Sequence, residues 1–229
     1  MSRPLALLFD FGGTLDADGV HWAPRFHAAY RAAGGTADFA SFEPAFRASD
    51  RALADWPGIG SLGFRATLDL QARLVCERLP DRGQVEPARI AAAFHSDAVR
   101  TVTRNRPVLE RLGRAYRLGV VSNFTGNLEP CLAELDLRRL FGVATDSTVV
   151  GARKPERAIF DRTLAALETP AGSAWMVGDN VEADLRPAVA LGMGACWLAP
   201  ADRAAPAGLS VIRIARLPDL EQVLSACTD

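Results

Sequence analysis

Hydrophobic residues along this 229-residue chain follow two different patterns, which divide it into three stretches. A continuous apolar run at residues 5–10 is closed by glycines and predicts a buried strand. Residues 24–99 carry apolar positions only at helical spacing, interrupted by clusters of glycine and proline. This middle stretch predicts helices over residues 26–33, 42–56, 62–79 and 90–99.

Beyond residue 100 short apolar runs alternate with helical patterns. The predicted strands are 118–122, 142–145, 174–178, 196–198 and 211–214, and the predicted helices are 107–116, 128–135, 155–167, 182–191 and 217–226. Pro187 is expected to start or kink the helix in which it lies. Such alternation predicts parallel strands joined by right-handed crossovers. The fold class is therefore α/β: a doubly wound parallel sheet (residues 1–15 and 101–229) with an inserted all-helical domain (residues 16–100).

Composition narrows the classes of function. The net charge is −1 with no basic tract, so nothing favours nucleic acid or an anionic membrane as a partner. No apolar stretch approaches the roughly 18 residues that a membrane span needs, and the apolar run at 5–9, closed by Asp10, is too short for the hydrophobic region of a signal peptide. The four cysteines form no CxxC pair and are predicted to be reduced, mostly buried thiols, so a cytoplasmic protein is expected. The oligomeric state does not follow from the sequence.

The cations of this chain are almost all arginine. Of its 26 Lys and Arg residues, Lys154 is the one lysine. A chain that uses Arg for general purposes keeps Lys where a compact ammonium suits better than a planar guanidinium. Lys154 is therefore a candidate functional residue.

Polar residues suited to binding a phosphoryl group stand near the ends of several predicted strands. They are Asp10, Ser122 with Asn123, Lys154 ahead of a helix, and Asp179 with Asp184. In an open α/β sheet, ligands bind at the carboxyl ends of the strands. These residues are therefore expected to share one site.

In this order the residues resemble the four motifs of the haloacid dehalogenase (HAD) superfamily of phosphohydrolases. The sequence DFGGT at 10–14 is similar to the family's DxDxT motif, and Ser122 and Lys154 match the second and third motifs. The sequence GDNVEAD at 178–184 matches GDxxxxD. The resemblance covers the whole chain, and the insert resembles the helical type of HAD cap.

The resemblance implies a role for each matched residue. Asp10 would be the nucleophile that forms an aspartyl-phosphate. Mg²⁺ would be held by Asp10, the backbone carbonyl of Gly12 and Asp179. Asp184 would orient Lys154 or a metal-bound water. The residues implied to bind the substrate are Thr14, Ser122, Asn123 and Lys154, with Ser122 and Lys154 also catalytic.

Gly12 departs from the family pattern, because most phosphatases of the family carry there the aspartate that acts as general acid and base. An aspartate substituted at this position is expected to fit the backbone. Without it, the chain is expected to favour good leaving groups, or to use Asp16, Asp18 or His21 as a surrogate. Asp16 and Asp18 are also ordinary turn residues.

The sequence leaves four candidate functions. A Mg²⁺-dependent phosphohydrolase acting on a small phosphorylated metabolite is the first. A non-catalytic phosphate-binding protein is the second, although a binder has little use for a nucleophile. A 2-haloacid dehalogenase is disfavoured by Asp179, and phosphonate cleavage by the absence of any lysine from the insert. Substrate choice is expected to depend on the 56–60 loop, Arg65 and the pair His21 and Trp22.

Overall fold

The computed structural model describes residues 3–81 and 83–227 of the chain. The strands are β1 Ala6–Phe9, β2 Arg117–Ser122, β3 Val143–Asp146, β4 Ala174–Gly178, β5 Gly194–Leu198 and β6 Ile212–Ile214. The helices are α1 Trp22–Ala32, α2 Phe39–Ala54, α3 Phe64–Cys76, α4 Pro87–Leu112, α5 Leu128–Glu134, α6 Ser147–Val150, α7 Arg157–Ala166, α8 Arg186–Ala190 and α9 Asp219–Ser225.

The six strands form one parallel sheet in the order β3-β2-β1-β4-β5-β6. Strand β1 lies inside the sheet, where Leu8 is opposite Gly119 of β2 and Met176 of β4. The direction of winding reverses between β1 and β4, which is the switch point where open α/β sheets bind ligands. The predicted doubly wound sheet is confirmed, and the ends of β1, β2 and β4 meet at this point.

Both faces of β1 are buried, which explains its continuous apolar sequence. Leu7 and Phe9 belong to the large core cluster that continues into the helical insert. Ala6 and Leu8 point to the opposite face and pack in a second cluster with Phe160 of α7. A strand covered on both sides holds its carboxyl end, and therefore Asp10, in a fixed position.

Helices α1 to α4 form the insert between β1 and β2. Their packing is aromatic: the rings of Phe26 and Phe94 lie 4.5 Å apart between centroids, and Phe26 and Phe46 lie 5.3 Å apart. A buried carboxylate, Asp81, accepts a hydrogen bond of 2.6 Å from the Tyr30 hydroxyl. The division of the chain into a core and a cap stays a prediction.

The prediction of two helices at 90–99 and 107–116 is wrong. A single helix, α4, runs from Pro87 to Leu112 with Pro107 inside it. Proline removes one backbone donor and favours a helix end, but Val102, Val108 and Leu109 of this helix are buried in the core. Packing of that face outweighs the local cost of the proline. At Pro187 the prediction is confirmed, because this residue lies in the first turn of α8.

In the described ranges, no helix is both long and apolar enough to cross a membrane. Cys76, Cys131 and Cys196 are free and buried, as the sequence predicts. Burial raises the pKa of each of these thiols. They are therefore unreactive packing residues.

Candidate active site

Asp10 follows β1 and lines a cavity of about 430 Å³ between the sheet and the insert. Its Oδ1 atom accepts hydrogen bonds from the backbone N–H of Phe11 at 2.7 Å and from Ser122 Oγ at 2.8 Å. The Nζ atom of Lys154 lies 2.8 Å from the same oxygen. Three donors therefore fix one oxygen of the carboxylate, and within the described chain they leave Oδ2 without a hydrogen-bond partner.

Lys154 bridges two carboxylates. Besides Asp10, its ammonium contacts Asp184 Oδ1 at 2.6 Å. Burial by itself would lower the pKa of Lys154, but the charges of Asp10 and Asp184 outweigh it and raise the pKa. Asn123 holds the backbone of residue 154 from both sides: its Nδ2 donates to Lys154 O at 2.9 Å, and its Oδ1 accepts from Lys154 N at 2.8 Å. The lone lysine is therefore charged and firmly placed.

Three buried carboxylates meet at this point. Asp10, Asp179 and Asp184 each offer an oxygen within 4.8 Å of the others. Burial first, and then the charges of Asp10 and Asp184, raise the pKa of Asp179 well above its usual range. Burial also raises the pKa of Asp184 to about 6, against the opposing effect of Lys154. When all three are ionised, the single ammonium leaves an excess of negative charge.

This donor set fits a divalent cation. Mg²⁺ prefers oxygen ligands, and a buried cluster of carboxylates is stabilised when such an ion compensates the charge that Lys154 leaves over. Asp184 has both oxygens engaged, with Lys154 Nζ and with the backbone N–H of Asn180 at 3.1 Å. Asp10 and Asp179 are therefore the better candidates for direct ligands.

Thr14 and Gly13 hold Asp179 against the loop that follows β1. The Thr14 hydroxyl, fully buried, donates to Asp179 Oδ1 at 3.2 Å. Gly13 has φ +93°, and a Cβ atom there would lie 2.6 Å from Asp179 Oδ2. Only glycine permits this approach. The contact of Thr14 with substrate stays a prediction.

The space beside Gly12 is filled by an indole ring. With φ −75° and ψ 115°, the backbone of Gly12 accepts any side chain. A Cβ atom there would nevertheless lie 3.0 Å from Nε1 and 3.2 Å from Cδ1 of Trp22. The backbone therefore accepts an aspartate as expected, while the surroundings accept it only if the indole moves by a few tenths of an ångström.

Asp16 fixes that indole. Its Oδ2 accepts from Trp22 Nε1 and from Arg25 Nη1, both at 2.8 Å, and its Oδ1 accepts from Gly13 N at 2.7 Å. The residue is completely buried. These contacts make Asp16 part of the scaffold of the loop, and its surrogate role stays a prediction.

Asp18 and His21, the other two surrogate candidates, also have partners. Asp18 forms a bidentate ion pair with Arg104 at 2.6 and 2.9 Å. His21 lines the cavity, and its Nδ1 accepts from the backbone N–H of Ala23 at 3.4 Å, so the neutral ring carries its proton on Nε2. Loss of water around the ring lowers the pKa of His21, although Asp10 and Asp16 oppose this shift. The ring can donate a hydrogen bond but offers no free lone pair.

The insert contributes residues that sequence reasoning missed. Asp50 of α2 and Gln71 of α3 line the same cavity as Asp10. The sequence did contain a signal for Asp50 and Gln71, because each is a polar residue among the apolar positions of a predicted helix. Among the predicted contacts of the insert, His21 and Trp22 also line the cavity. Arg65 is paired with Asp69 at 3.0 Å.

A profile of the haloacid dehalogenase-like hydrolase family matches residues 5–192. The chain belongs to this family. The pyrimidine 5'-nucleotidase YjjG of Escherichia coli is 31% identical over 155 residues, which are 65% of this hydrolase and 68% of YjjG.

Solved structures are similar over nearly the whole of this HAD-like hydrolase. An L-2-haloacid dehalogenase superposes with a TM-score of 0.66 at 18% identity, covering 99% of this chain and 100% of that one. The HAD-hydrolase YfnB of Bacillus subtilis, in a structure bound to magnesium, gives 0.58 at 16% identity and covers 98% and 100%. At these identities the likeness shows the fold alone.

Proposed function

We propose that this HAD-like hydrolase is a Mg²⁺-dependent phosphohydrolase that acts on a small phosphorylated metabolite through an aspartyl-phosphate on Asp10. The observation that carries the proposal is the position of Lys154 between Asp10 and Asp184, next to Asp179. A dianionic phosphoryl group needs cations around it, and this cluster combines a buried ammonium with acids suited to a divalent ion. A haloacid substrate needs no such ion.

The residues act in two steps. An oxygen of Asp10 forms a bond to phosphorus as the bond from phosphorus to the leaving oxygen breaks. A water molecule then attacks the phosphorus of the aspartyl-phosphate, which releases inorganic phosphate and a proton and restores the carboxylate. Lys154 stabilises the charge of the nucleophile and of the phosphoryl oxygens, and Ser122 holds Asp10 in place. Mg²⁺, held by Asp10, Asp179 and the carbonyl of Gly12, would supply further positive charge at the phosphoryl oxygens.

The leaving group must depart without a proton from residue 12. Gly12 has no acid, and Trp22 fills the adjacent space. General acid catalysis is worth about 10²–10⁴ in rate for a poor leaving group and little for a good one. We therefore propose a preference for acyl, aryl or anhydride phosphates over alkyl esters. The nucleotides named for YjjG are alkyl esters, so they would bind here but turn over slowly.

The insert of α1 to α4 would act as a cap that selects the substrate. Its helices bring Asp50, Gln71 and Trp22 to the wall of the cavity that also contains Asp10. This arrangement supports a substrate whose phosphate lies at the sheet and whose remaining part contacts the insert.

A screen of phosphorylated metabolites tests the proposal. Purified protein is assayed for phosphate release with Mg²⁺, with excess EDTA, and with Mg²⁺ on the Asp10→Asn variant. We expect release that requires both Mg²⁺ and Asp10, and faster release from acetyl and p-nitrophenyl phosphate than from alkyl phosphates. Turnover unaffected by EDTA or by Asp10→Asn would contradict the mechanism.

A further inference from the structure

The wall formed by the insert contains an unpaired amide. Gln71 is fully buried on α3, and its Nε2 donates to Asp50 Oδ1 at 2.5 Å. Its Oε1 is also buried and has no hydrogen-bond partner within the described part of the chain. Exchanging the two amide atoms by rotation would leave the nitrogen unpaired instead. Either way, one polar atom of Gln71 lacks a partner.

Such an atom is costly. A buried polar group without a partner destabilises a protein by roughly 1–3 kcal/mol, so buried amides are nearly always satisfied. Gln71 is also one of the residues that line the cavity with Asp10. A bound molecule that pairs with this amide would remove the penalty.

Asp50 adds a second group to the same place. It lines the cavity, and in the described structure only its Oδ1 has a hydrogen-bond partner. Burial raises the pKa of Asp50 to about 7, although Gln71, Arg47 and Arg51 oppose the shift. Near neutral pH the carboxyl can therefore be protonated and act as a donor, while Gln71 Oε1 acts as an acceptor.

We propose that Asp50 and Gln71 form a subsite for the part of the substrate remote from the phosphate, and that this subsite binds an uncharged planar group with adjacent N–H and C=O, as in a carboxamide or a nucleobase edge. The N–H of the ligand donates to Gln71 Oε1, and its carbonyl accepts from the Asp50 carboxyl. The inference deepens the proposed function, on which it rests only in placing the phosphate at Asp10.

Competition between three ligands tests the subsite. Uridine 5'-monophosphate has the N–H and C=O edge, 3-methyluridine 5'-monophosphate lacks the N–H, and ribose 5-phosphate lacks the base. Each is measured as a competitive inhibitor of p-nitrophenyl phosphate hydrolysis. Two hydrogen bonds worth about 1 kcal/mol each predict that the uridine nucleotide binds roughly 30-fold more tightly than ribose 5-phosphate. The methylated nucleotide should bind at least about fivefold more weakly than the unmethylated one.

Substitutions of Gln71 and Asp50 test whether these residues cause the preference for the uridine nucleotide over ribose 5-phosphate. Gln71→Leu should reduce the ratio between the uridine nucleotide and ribose 5-phosphate to within about threefold, with ribose 5-phosphate itself unchanged. Ser49→Ala is the matched control, since Ser49 is buried on α2 next to Asp50 and its hydroxyl donates to Phe46 O at 2.6 Å. This control should keep the wild-type ratio. Asp50→Ala, which removes the carboxyl without touching the amide, provides the same comparison if Gln71→Leu fails to fold.

The inference is overturned if the methylated and unmethylated nucleotides bind equally, or if Gln71→Leu changes all ligands by one factor. Titration calorimetry with the three ligands gives the same ratios without turnover. Absence of phosphate release would therefore refute the proposed function while leaving the subsite measurable.

Discussion

Alanine at position 12 should destabilise the protein by colliding with Trp22, and a substitution of Trp22 should relieve the collision. The new Cβ atom would lie 3.0 Å from the indole nitrogen, closer than ordinary van der Waals contact. The backbone of Gly12 is already in a conformation that alanine adopts, so no strain comes from φ. The cost is overpacking, for which about 1–3 kcal/mol is typical.

The indole has little freedom to move away. Its Nε1 donates to the fully buried Asp16. Its ring packs against five phenylalanines with centroid distances from 5.1 to 6.2 Å, namely Phe11, Phe26, Phe64, Phe94 and Phe124. Trp22→Phe removes the nitrogen that the new methyl group meets. On its own, this substitution should cost a similar 1–3 kcal/mol through the lost hydrogen bond and lost contacts.

A double-mutant cycle measures the collision. Urea unfolding, followed by far-UV circular dichroism, gives the unfolding free energy of wild type, Gly12→Ala, Trp22→Phe and the double variant. We expect the double variant to lose at least about 1 kcal/mol less than the sum of the single losses. Gly172→Ala is the control, because a Cβ atom at Gly172 meets nothing within 4 Å. Additivity within about 0.5 kcal/mol for the Gly12 cycle would refute the reasoning.

Four further predictions concern the chemistry. Asp10→Asn should abolish turnover with an unchanged thermal midpoint to within a few degrees, and activity within tenfold of wild type would exclude Asp10 as the nucleophile. Lys154→Arg should reduce kcat by at least about 10²-fold, because a planar guanidinium replaces an ammonium held 2.8 and 2.6 Å from two carboxylate oxygens; near-normal kinetics would mean that only the charge matters. Folding raises the pKa of Asp50 to about 7, so the folded state keeps a proton that the unfolded state has already released. Through this group, the unfolding free energy of the protein falls by about 2 kcal/mol as pH rises from 5 to 7. Urea unfolding at both pH values should show a decrease that is smaller by about 2 kcal/mol in Asp50→Asn than in the wild type, because Asp179 and Asp184 still contribute theirs; an equal decrease in both proteins would show that Asp50 does not contribute. Gly12→Asp should gain activity on an alkyl phosphate only when combined with Trp22→Phe, measured as kcat/KM relative to an aryl phosphate; a gain by the single variant would show that the indole yields easily.

The residues near the ends of the strands could be predicted from the sequence, because parallel strands bring their carboxyl ends to one edge. This rule places Asp10, Ser122 and Asp179 together without knowledge of any side-chain contact. Lys154 could be predicted as a functional residue because it is the one lysine of the chain and because it matches a motif of the family. The resemblance also implied that Asp184 orients Lys154 or a metal-bound water, and the structure adds the geometry, with the ammonium 2.8 Å from Asp10 and 2.6 Å from Asp184.

The contacts of the insert could not be predicted in the same way. Helical periodicity shows which face of α2 or α3 is apolar, but not which helix that face meets. The pairing of Asp50 with Gln71 joins residues 21 positions apart through the packing of two helices. The continuous helix through Pro107 has the same explanation. The proline suggests a helix break from local sequence, but packing against distant parts of the chain keeps the helix continuous.

Gly12 and Trp22 are best understood as one feature. A glycine at residue 12 removes the acid that would protonate a leaving group, and the indole fills the adjacent space so that no side chain fits there without movement. Lys154 and the neighbouring carboxylates, on which the proposed phosphoryl transfer to Asp10 depends, are all present. Under the proposed function, a site that keeps these charges but has no acid at residue 12 is suited to substrates whose leaving group departs as an anion. The substrate preference proposed here therefore follows from packing around the nucleophile as much as from the motif itself.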